Sequence, residues 1–318
     1  MKQVGLLVKV LAVVLAGYWL VRSDAGVLAL MGMIFGGTAT LVGGWRIGLA
    51  VSLADVVTVG VGGSLHAYPV AIVAFAGALA FAIGYAARWG LYAAWLSPFI
   101  FGVIAATAPH ADVFGRRSVW PEAVLVGLGS LIAVGILQIP PTFPMLPRLP
   151  ALTNDGALIF AAIAALGVVL LTAVVLASSS PHGYWVVSAF MACLQPAIGR
   201  SRSRAIRRQV GTVAGVAAGL AIDHFVSGRE VLWTLASVSL VLCVVFMSRY
   251  DWSVGFVSLA IVLVAATSGS AAATAADRLL LNIAGAALVL VLSITLGPVL
   301  VQIDKRVPLV DRSARAVA

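Results

Sequence analysis

The most informative segment of the chain runs from Tyr184 to Gly219 and reads YWVVSAFMACLQPAIGRSRSRAIRRQVGTVAGVAAG. Its first apolar helix is predicted to end at Gln195–Pro196, because proline removes a backbone donor and clashes with the preceding turn. Five arginines follow within nine residues. A second apolar helix then carries glycines at 211, 215 and 219 on one face. Dense positive charge between two membrane-length helices indicates a membrane protein that handles anions.

Composition extends this reading to the whole chain. Hydrophobic residues make up 62% of the 318 positions and charged residues 10%, whereas soluble domains carry about 25% charged residues. Apolar segments recur at the length a helix needs to cross a bilayer, without the alternation of a membrane barrel. The two shortest can also be read as re-entrant. The sequence predicts an all-α polytopic membrane protein of about twelve transmembrane helices, near residues 4–21, 26–43, 47–64, 68–87, 91–108, 121–140, 156–178, 184–199, 208–226, 231–248, 253–270 and 279–301.

The basic residues predict an orientation. Fifteen of the 20 lysines and arginines fall at the termini and in the even-numbered loops, and five in the odd-numbered loops. This bias predicts cytoplasmic termini and a multi-pass protein of the plasma (inner) membrane. The net charge of +9 then reflects topology and anionic membrane lipids and needs no nucleic-acid partner. The N-terminal segment favours an uncleaved first span over a cleaved signal peptide.

An internal repeat is suggested at an offset of 161 residues. Three pairs of arginines coincide at that offset, namely Arg46 with Arg207, Arg88 with Arg249 and Arg117 with Arg278. Six spans per half predicts two parallel six-helix repeats, related by an axis along the membrane normal. The expected organisation is a first membrane half (1–140), a proline-rich cytoplasmic linker (141–155), a second membrane half (156–303) and a basic cytoplasmic tail (304–318).

The block Trp185…Gln195–Pro196…Arg207–Arg208-x-x-Gly211–Thr212-x-x-Gly215 resembles the signature of the fusaric acid resistance (FUSC) family. Arg249–Tyr250 and Asp277–Arg278…Asn282…Gly285 also fit the layout of that family. It includes aromatic acid exporters and is distantly similar to plant aluminium-activated malate transporters. The resemblance covers about residues 184–300 and implies export of organic, often aromatic, carboxylates. Many members carry a large cytoplasmic domain that is not found in this sequence, which would make it a compact member.

The predicted anion site centres on the start of the helix that follows the arginines. Arginine pairs with carboxylate in two-point geometry, and a helix N-terminus attracts anions. An alternative role for these arginines is anchoring to anionic lipids. The glycines at 211, 215 and 219 favour close helix packing over pore lining. The Gln195–Pro196 break can mark a binding site or a simple kink. The substrate- or anion-binding candidates are Arg207, Arg208, Gly211, Thr212, Arg46 and Gln195.

Asp55 is the candidate for proton coupling. It lies in the middle of an apolar span, where a carboxylate usually faces a cavity or a partner. The alternative is a protonated or arginine-paired structural residue. The four histidines fall at predicted outer helix ends, where they could sense pH or simply be interfacial. Neither they nor the two cysteines fit a metal pattern, and the cysteines are expected to be packing residues.

No catalytic constellation or nucleotide-binding loop is present in the sequence, so we expect neither an enzyme nor a cofactor. Two classes of function remain. The first is a transporter, or a passive channel, for small organic anions. The second is a membrane structural or assembly protein that binds anionic lipid or a partner. The sequence leaves open the substrate, the coupling ion and whether the protein is a homo-oligomer.

Overall fold

The computed structural model describes residues 24–107, 119–138, 149–178, 180, 182–196, 198–226, 228–267, 269–306 and 309–310. The predicted first span at 4–21, most of the linker, His110 and the tail beyond residue 310 lie outside these residues. Within them the chain is all α-helical. The helices are α1 (Asp24–Gly43), α2 (Trp45–Ser64), α3 (Pro69–Tyr85), a 3-10 turn (Ala86–Trp89), α4 (Leu96–Thr107), α5 (Val119–Gln138), α6 (Asn154–Ser178), α7 (Tyr184–Cys193), α8 (Ile198–Phe225), α9 (Arg229–Val245), α10 (Tyr250–Ala266), α11 (Ala271–Thr295) and α12 (Gly297–Arg306).

Five stretches in the described part of the chain are long and apolar enough to cross a membrane. They lie at Trp45–Ser64, Pro69–Trp89, Val119–Gln138, Asn154–Ser178 and Ala271–Thr295. Their outward faces carry large apolar side chains, such as Leu53, Val70, Leu166 and Ile294, that would be costly to expose to water. A helical, multi-pass membrane protein is the class that accounts for both features.

Two short helices, α4 and α7, lie at the centre of the fold. All ten residues of α7 are buried, as are ten of the twelve in α4. At 1.5 Å per residue, α7 is about 15 Å long and α4 about 18 Å, roughly half the thickness of the hydrocarbon core. The two pack against each other, and the largest cluster of buried apolar side chains forms around them.

The break predicted at Gln195–Pro196 is confirmed. Helix α7 ends at Cys193, and Leu194 is extended with φ −63° and ψ 130°. Its last carbonyls are therefore free of intrahelical partners and accept hydrogen bonds from side chains instead. Non-helical backbone at membrane depth is tolerated where it is buried in protein in this way.

The helix after the break begins earlier than the sequence predicted. Helix α8 begins at Ile198, so the arginines from 200 to 208 lie on its first three turns and not in a loop before residue 208. The five-arginine stretch is helical because no proline or glycine interrupts it after Gly199. A prediction that placed the helix start by apolarity alone missed these turns, since charged side chains can extend a membrane helix beyond the hydrocarbon core.

The stripe of glycines on α8 packs against α10, as predicted. A Cβ added at Gly211 would lie 2.2 Å from the Asp251 carbonyl oxygen, and one at Gly215 would lie 2.0 Å from that of Gly255. Neither position has room for a side chain, so the two backbones are in direct contact. Close approach of this kind is how small residues join membrane helices.

Candidate anion-binding site

Arg208 is a buried arginine on the third turn of α8. Its side chain is 9% exposed. Nε donates to Asn282 Oδ1 on α11 at 2.9 Å, and Nη1 donates to the Tyr250 hydroxyl at 3.1 Å. The direct contact between α8 and α10 brings the Tyr250 ring this close. The guanidinium is therefore held between two helices by neutral groups.

A second buried arginine, Arg278, lies one turn before Asn282 on α11. It is 5% exposed, and its guanidinium carbon lies 5.2 Å from the centre of the Trp185 ring on α7. The Asn282 side-chain amide donates to the Arg278 carbonyl at 2.7 Å, which fixes the amide so that its oxygen faces Arg208. The Arg278 Nε has no hydrogen-bond partner among the described residues. It is a buried donor whose hydrogen-bonding capacity is unused there.

The broken end of α7 forms one wall of the same region. Arg204 Nε donates to the Ala192 carbonyl at 2.8 Å, and its guanidinium lies 3.8 Å above the Tyr250 ring. The Tyr250 hydroxyl is also 3.4 Å from the Ala192 oxygen. On the other side, the Tyr92 hydroxyl donates to the Met191 carbonyl. We call Arg204, Arg208, Tyr250, Arg278 and Asn282 the arginine site.

The charged side chains of the arginine site are all positive. Among the described residues, neither Arg208 nor Arg278 has a carboxylate partner. Removing an ion from water costs several kcal/mol even after relaxation, and buried charges are normally paired. Thr212, one turn beyond Arg208, adds a fully buried hydroxyl with no partner among the described residues. The two guanidiniums and the spare donors form a candidate site that an anion would complete.

The structure brings only some of the predicted site residues together. Arg208 lies in the arginine site, and Thr212 and Gly211 lie one turn further along α8. Gln195 is buried at the end of α7, where its backbone N–H donates to Ser201 Oγ at 2.9 Å. Arg208 is ten residues inside α8, so the predicted help from a helix N-terminus does not reach it.

Arg207 and Arg46, by contrast, are exposed. The guanidinium of Arg46 lies 5.4 Å from the ring of its neighbour Trp45, at the start of α2, which packs on α1, α4 and α5. These positions suit contact with lipid headgroups.

Asp55 occupies a separate buried position between α2 and α4. It is 0% exposed, and its Oδ1 accepts a hydrogen bond of 2.7 Å from the Ser97 hydroxyl. Its Oδ2 has no partner among the described residues. The arginine pairing considered from sequence is therefore not observed there. One turn earlier on α2, the Ser52 hydroxyl donates to Ser130 on α5 at 2.7 Å.

The structure also describes the two cysteines and three of the four histidines. Cys193 and Cys243 are both free and buried, which confirms their packing role. His66 and His224 are exposed, whereas His182 pairs with Asp277. Within the described ranges, no group of histidine, cysteine or acidic side chains could hold a metal ion.

Sequence reasoning did not assign Arg278, Asn282 or Tyr250 to the site. Arg278 was assigned to a loop, because its span was predicted to begin at residue 279. Helix α11 begins at Ala271 and contains both Arg278 and Asn282. The missed signal is their spacing, since two polar residues at i and i+4 in an apolar helix share one face. Tyr250 appears in the sequence only as part of the Arg249–Tyr250 pair that fits the family layout, and the α8–α10 contact reveals its place beside Arg208.

These features define a helical membrane protein with a buried cationic site beside a broken helix. Residues 167–292 match the family described as fusaric acid resistance protein-like, and the match includes every residue of the arginine site. The resemblance seen in the sequence is thereby confirmed for this region, which is similar to a family of membrane transport and efflux proteins. No curated protein and no solved structure matches the chain.

Proposed function

We propose that this protein exports organic carboxylate anions, aromatic ones included, across the plasma membrane through the arginine site. The observation that carries the proposal is the pair of buried guanidiniums, Arg208 and Arg278, without a carboxylate partner in the described part of the chain. A carboxylate is the ligand that the planar fork of arginine recognises best. A ligand that brought this charge would relieve the cost of burying both arginines.

Aromatic side chains at the site favour a substrate with a flat apolar body. Trp185 lies beside Arg278, and the Tyr250 ring lies beneath Arg204. Aromatic rings are side chains on which a flat apolar body can stack, so a carboxylate on an aromatic ring would find partners here for both of its parts. The polar donors would fix the charged end, and the rings would tolerate variation in the body.

The broken helix supports transport in preference to a purely structural role. At the Gln195 end of α7 lies a small cavity of about 50 Å³, lined by Gln195, Pro196 and Ser201 together with apolar side chains of α6 and α11. Leu300 and Leu309 border it from the C-terminal segment. Discontinuous helices that end beside a cavity are typical of binding sites in transporters.

The topology we propose is about twelve membrane helices, the short α4 and α7 among them, in two six-helix repeats with both termini cytoplasmic. Helix packing supports it. The contacts of α2 with α4 and α5 recur as those of α8 with α10 and α11, and α1 on α5 recurs as α7 on α11. At the offset of 161, Asp55 and Ser97 correspond to Val216 and Ser258, and Ser258 also packs beside α8. The arginines at the start of α8 would face the cytoplasm.

We further propose that Asp55 carries a proton that drives export. A fully buried carboxyl in a membrane helix, with one oxygen unpartnered among the described residues, is suited to gain and lose a proton. The segment before α4 connects it to the arginine site, because Tyr92 binds the α7 carbonyl end and Ser97, five residues later, binds Asp55. A shift of this segment would change the contacts both of Asp55 and of the end of α7.

The test is counterflow of labelled 4-hydroxybenzoate in proteoliposomes that contain the purified protein. Wild type is expected to accumulate the label, and Arg208→Gln to lose at least about 30-fold in transport, since leaving a buried charge unpaired costs 2–5 kcal/mol. Arg202→Gln is the matched control, because Arg202 is an exposed arginine on the same helix. If wild type transports no organic acid, a lipid-binding or assembly role replaces the proposal.

A further inference from the structure

His182 and Asp277 form an ion pair at the end of α7 opposite the broken end. His182 Nδ1 lies 2.6 Å from Asp277 Oδ2. His182 belongs to the turn that precedes α7, and Asp277 lies on the second turn of α11. The pair therefore joins the starts of the two helices that carry Trp185 and Arg278.

This ion pair continues inward to the arginine site through stacked groups. The His182 ring lies on the Trp185 ring at 4.7 Å with an angle of 10° between the planes. The Trp185 ring in turn contacts the Arg278 guanidinium, and the Tyr184 ring packs edge-on against both His182 and Trp185. Only the Trp185 ring lies between the partly exposed ion pair and the buried guanidinium of Arg278.

The exposure of the pair indicates a contact that opens easily. His182 is 26% and Asp277 is 40% exposed. Exposed ion pairs add little to stability, because water screens them and both side chains lose freedom. A contact that is weak, spans two helices and covers the stacked path to Arg278 is suited to open and close during transport.

We propose that His182 and Asp277 form a latch that closes the arginine site at the His182 end of α7. The inference rests on the proposed transport function. In this structure the latch is closed, while the cavity lies at the opposite, Gln195 end of the same helix. Release of the anion at the His182 end requires the starts of α7 and α11 to separate. The latch residues position Trp185 over the path and are not themselves ligands of the anion.

The test uses a reversible cross-link across the latch. His182→Cys and Asp277→Cys are combined in the full chain, with the buried Cys193 and Cys243 replaced by alanine. A short bis-methanethiosulfonate joins the two thiols, mass spectrometry verifies the link, and dithiothreitol releases it. Counterflow of 4-hydroxybenzoate is measured in proteoliposomes, and its binding is measured in detergent. The two single-cysteine variants, treated in the same way, report any effect of the reagent alone.

The expected result is a loss of transport of at least about tenfold on cross-linking, restored by dithiothreitol. Binding should change less than about threefold, because the cross-link joins two positions that are not ligands of the anion. Unchanged transport with a verified link would overturn the latch, and so would a parallel loss of binding, since the pair would then shape the site itself. Failure of the proposed function is distinguishable, because the reduced variant and wild type would then not transport.

Discussion

Replacing Gly215 by alanine should separate α8 from α10 and disturb the arginine site without touching any of its side chains. The added Cβ would lie 2.0 Å from the Gly255 carbonyl oxygen, whereas an ordinary contact begins near 3.4 Å. The helices must therefore move apart by about 1.4 Å if the backbones stay rigid. Tyr250, at the start of α10, moves with that helix away from Arg208.

The energetic cost follows from the same geometry. Overpacking a close contact costs about 1–3 kcal/mol, and the upper end applies because the opposing atom belongs to backbone. Alanine recovers up to about 1 kcal/mol through its better helix propensity. We expect a net loss near 2 kcal/mol and, for a chain of 318 residues, a fall of about 3 °C in the Tm of the purified protein.

Thermal unfolding in detergent, followed by intrinsic fluorescence, measures this change. Gly135→Ala is the matched control, since Gly135 is a helical glycine with nothing within 4 Å of the added Cβ. It should leave Tm unchanged or slightly higher. Gly255→Ala should fall between the two, because its nearest contact would be 3.3 Å. If Gly215→Ala unfolds within about 1 °C of Gly135→Ala, the close α8–α10 contact is refuted.

Three further predictions concern single side chains. Asp55→Asn should retain counterflow exchange, because the amide oxygen still accepts the hydrogen bond from Ser97. The transport driven by a pH gradient should fall at least about tenfold, because the amide cannot carry the proton. Equal loss of both activities would argue against coupling. Tyr250→Phe removes the hydroxyl that accepts a hydrogen bond from Arg208. The affinity for 4-hydroxybenzoate, measured by calorimetry, should fall about 5- to 30-fold. An unchanged Kd would show that the hydroxyl does not shape the site. Arg46→Gln should change that Kd less than about twofold, since Arg46 is exposed, and a larger loss would return it to the binding site.

The class of the fold follows from the sequence because burial in a bilayer imposes simple length and composition rules. Apolar stretches of membrane length, the proline after Gln195 and the glycine stripe on α8 each have a local physical consequence, and the structure contains all three features. Hydropathy alone does not reveal that α7 is only ten residues long and wholly buried, since a buried and a lipid-facing helix have the same composition.

The candidate site was predicted only in part. Arg208 was found because it belongs to a dense local cluster of charge. Arg278 was missed because it reaches the site only through the packing of α11 against α8. The pattern of charge along the sequence does not reveal such a tertiary contact. Arg207 was selected by its position at the predicted helix start and Arg46 by the internal repeat, but the structure exposes both. A repeat at the level of helices need not duplicate a site, as the replacement of Asp55 by Val216 also indicates.

Arg208 and Arg278, which have no carboxylate partner in the described part of the chain, are proposed to bind the transported anion, and the affinity of the Arg278→Gln variant tests this most directly. Calorimetric titration of the detergent-purified protein with 4-hydroxybenzoate gives Kd without any contribution from transport. We expect a loss of at least about 30-fold in Arg278→Gln, comparable with Arg208→Gln, and no change beyond about twofold in Arg202→Gln. The same Kd in wild type and Arg278→Gln would contradict it.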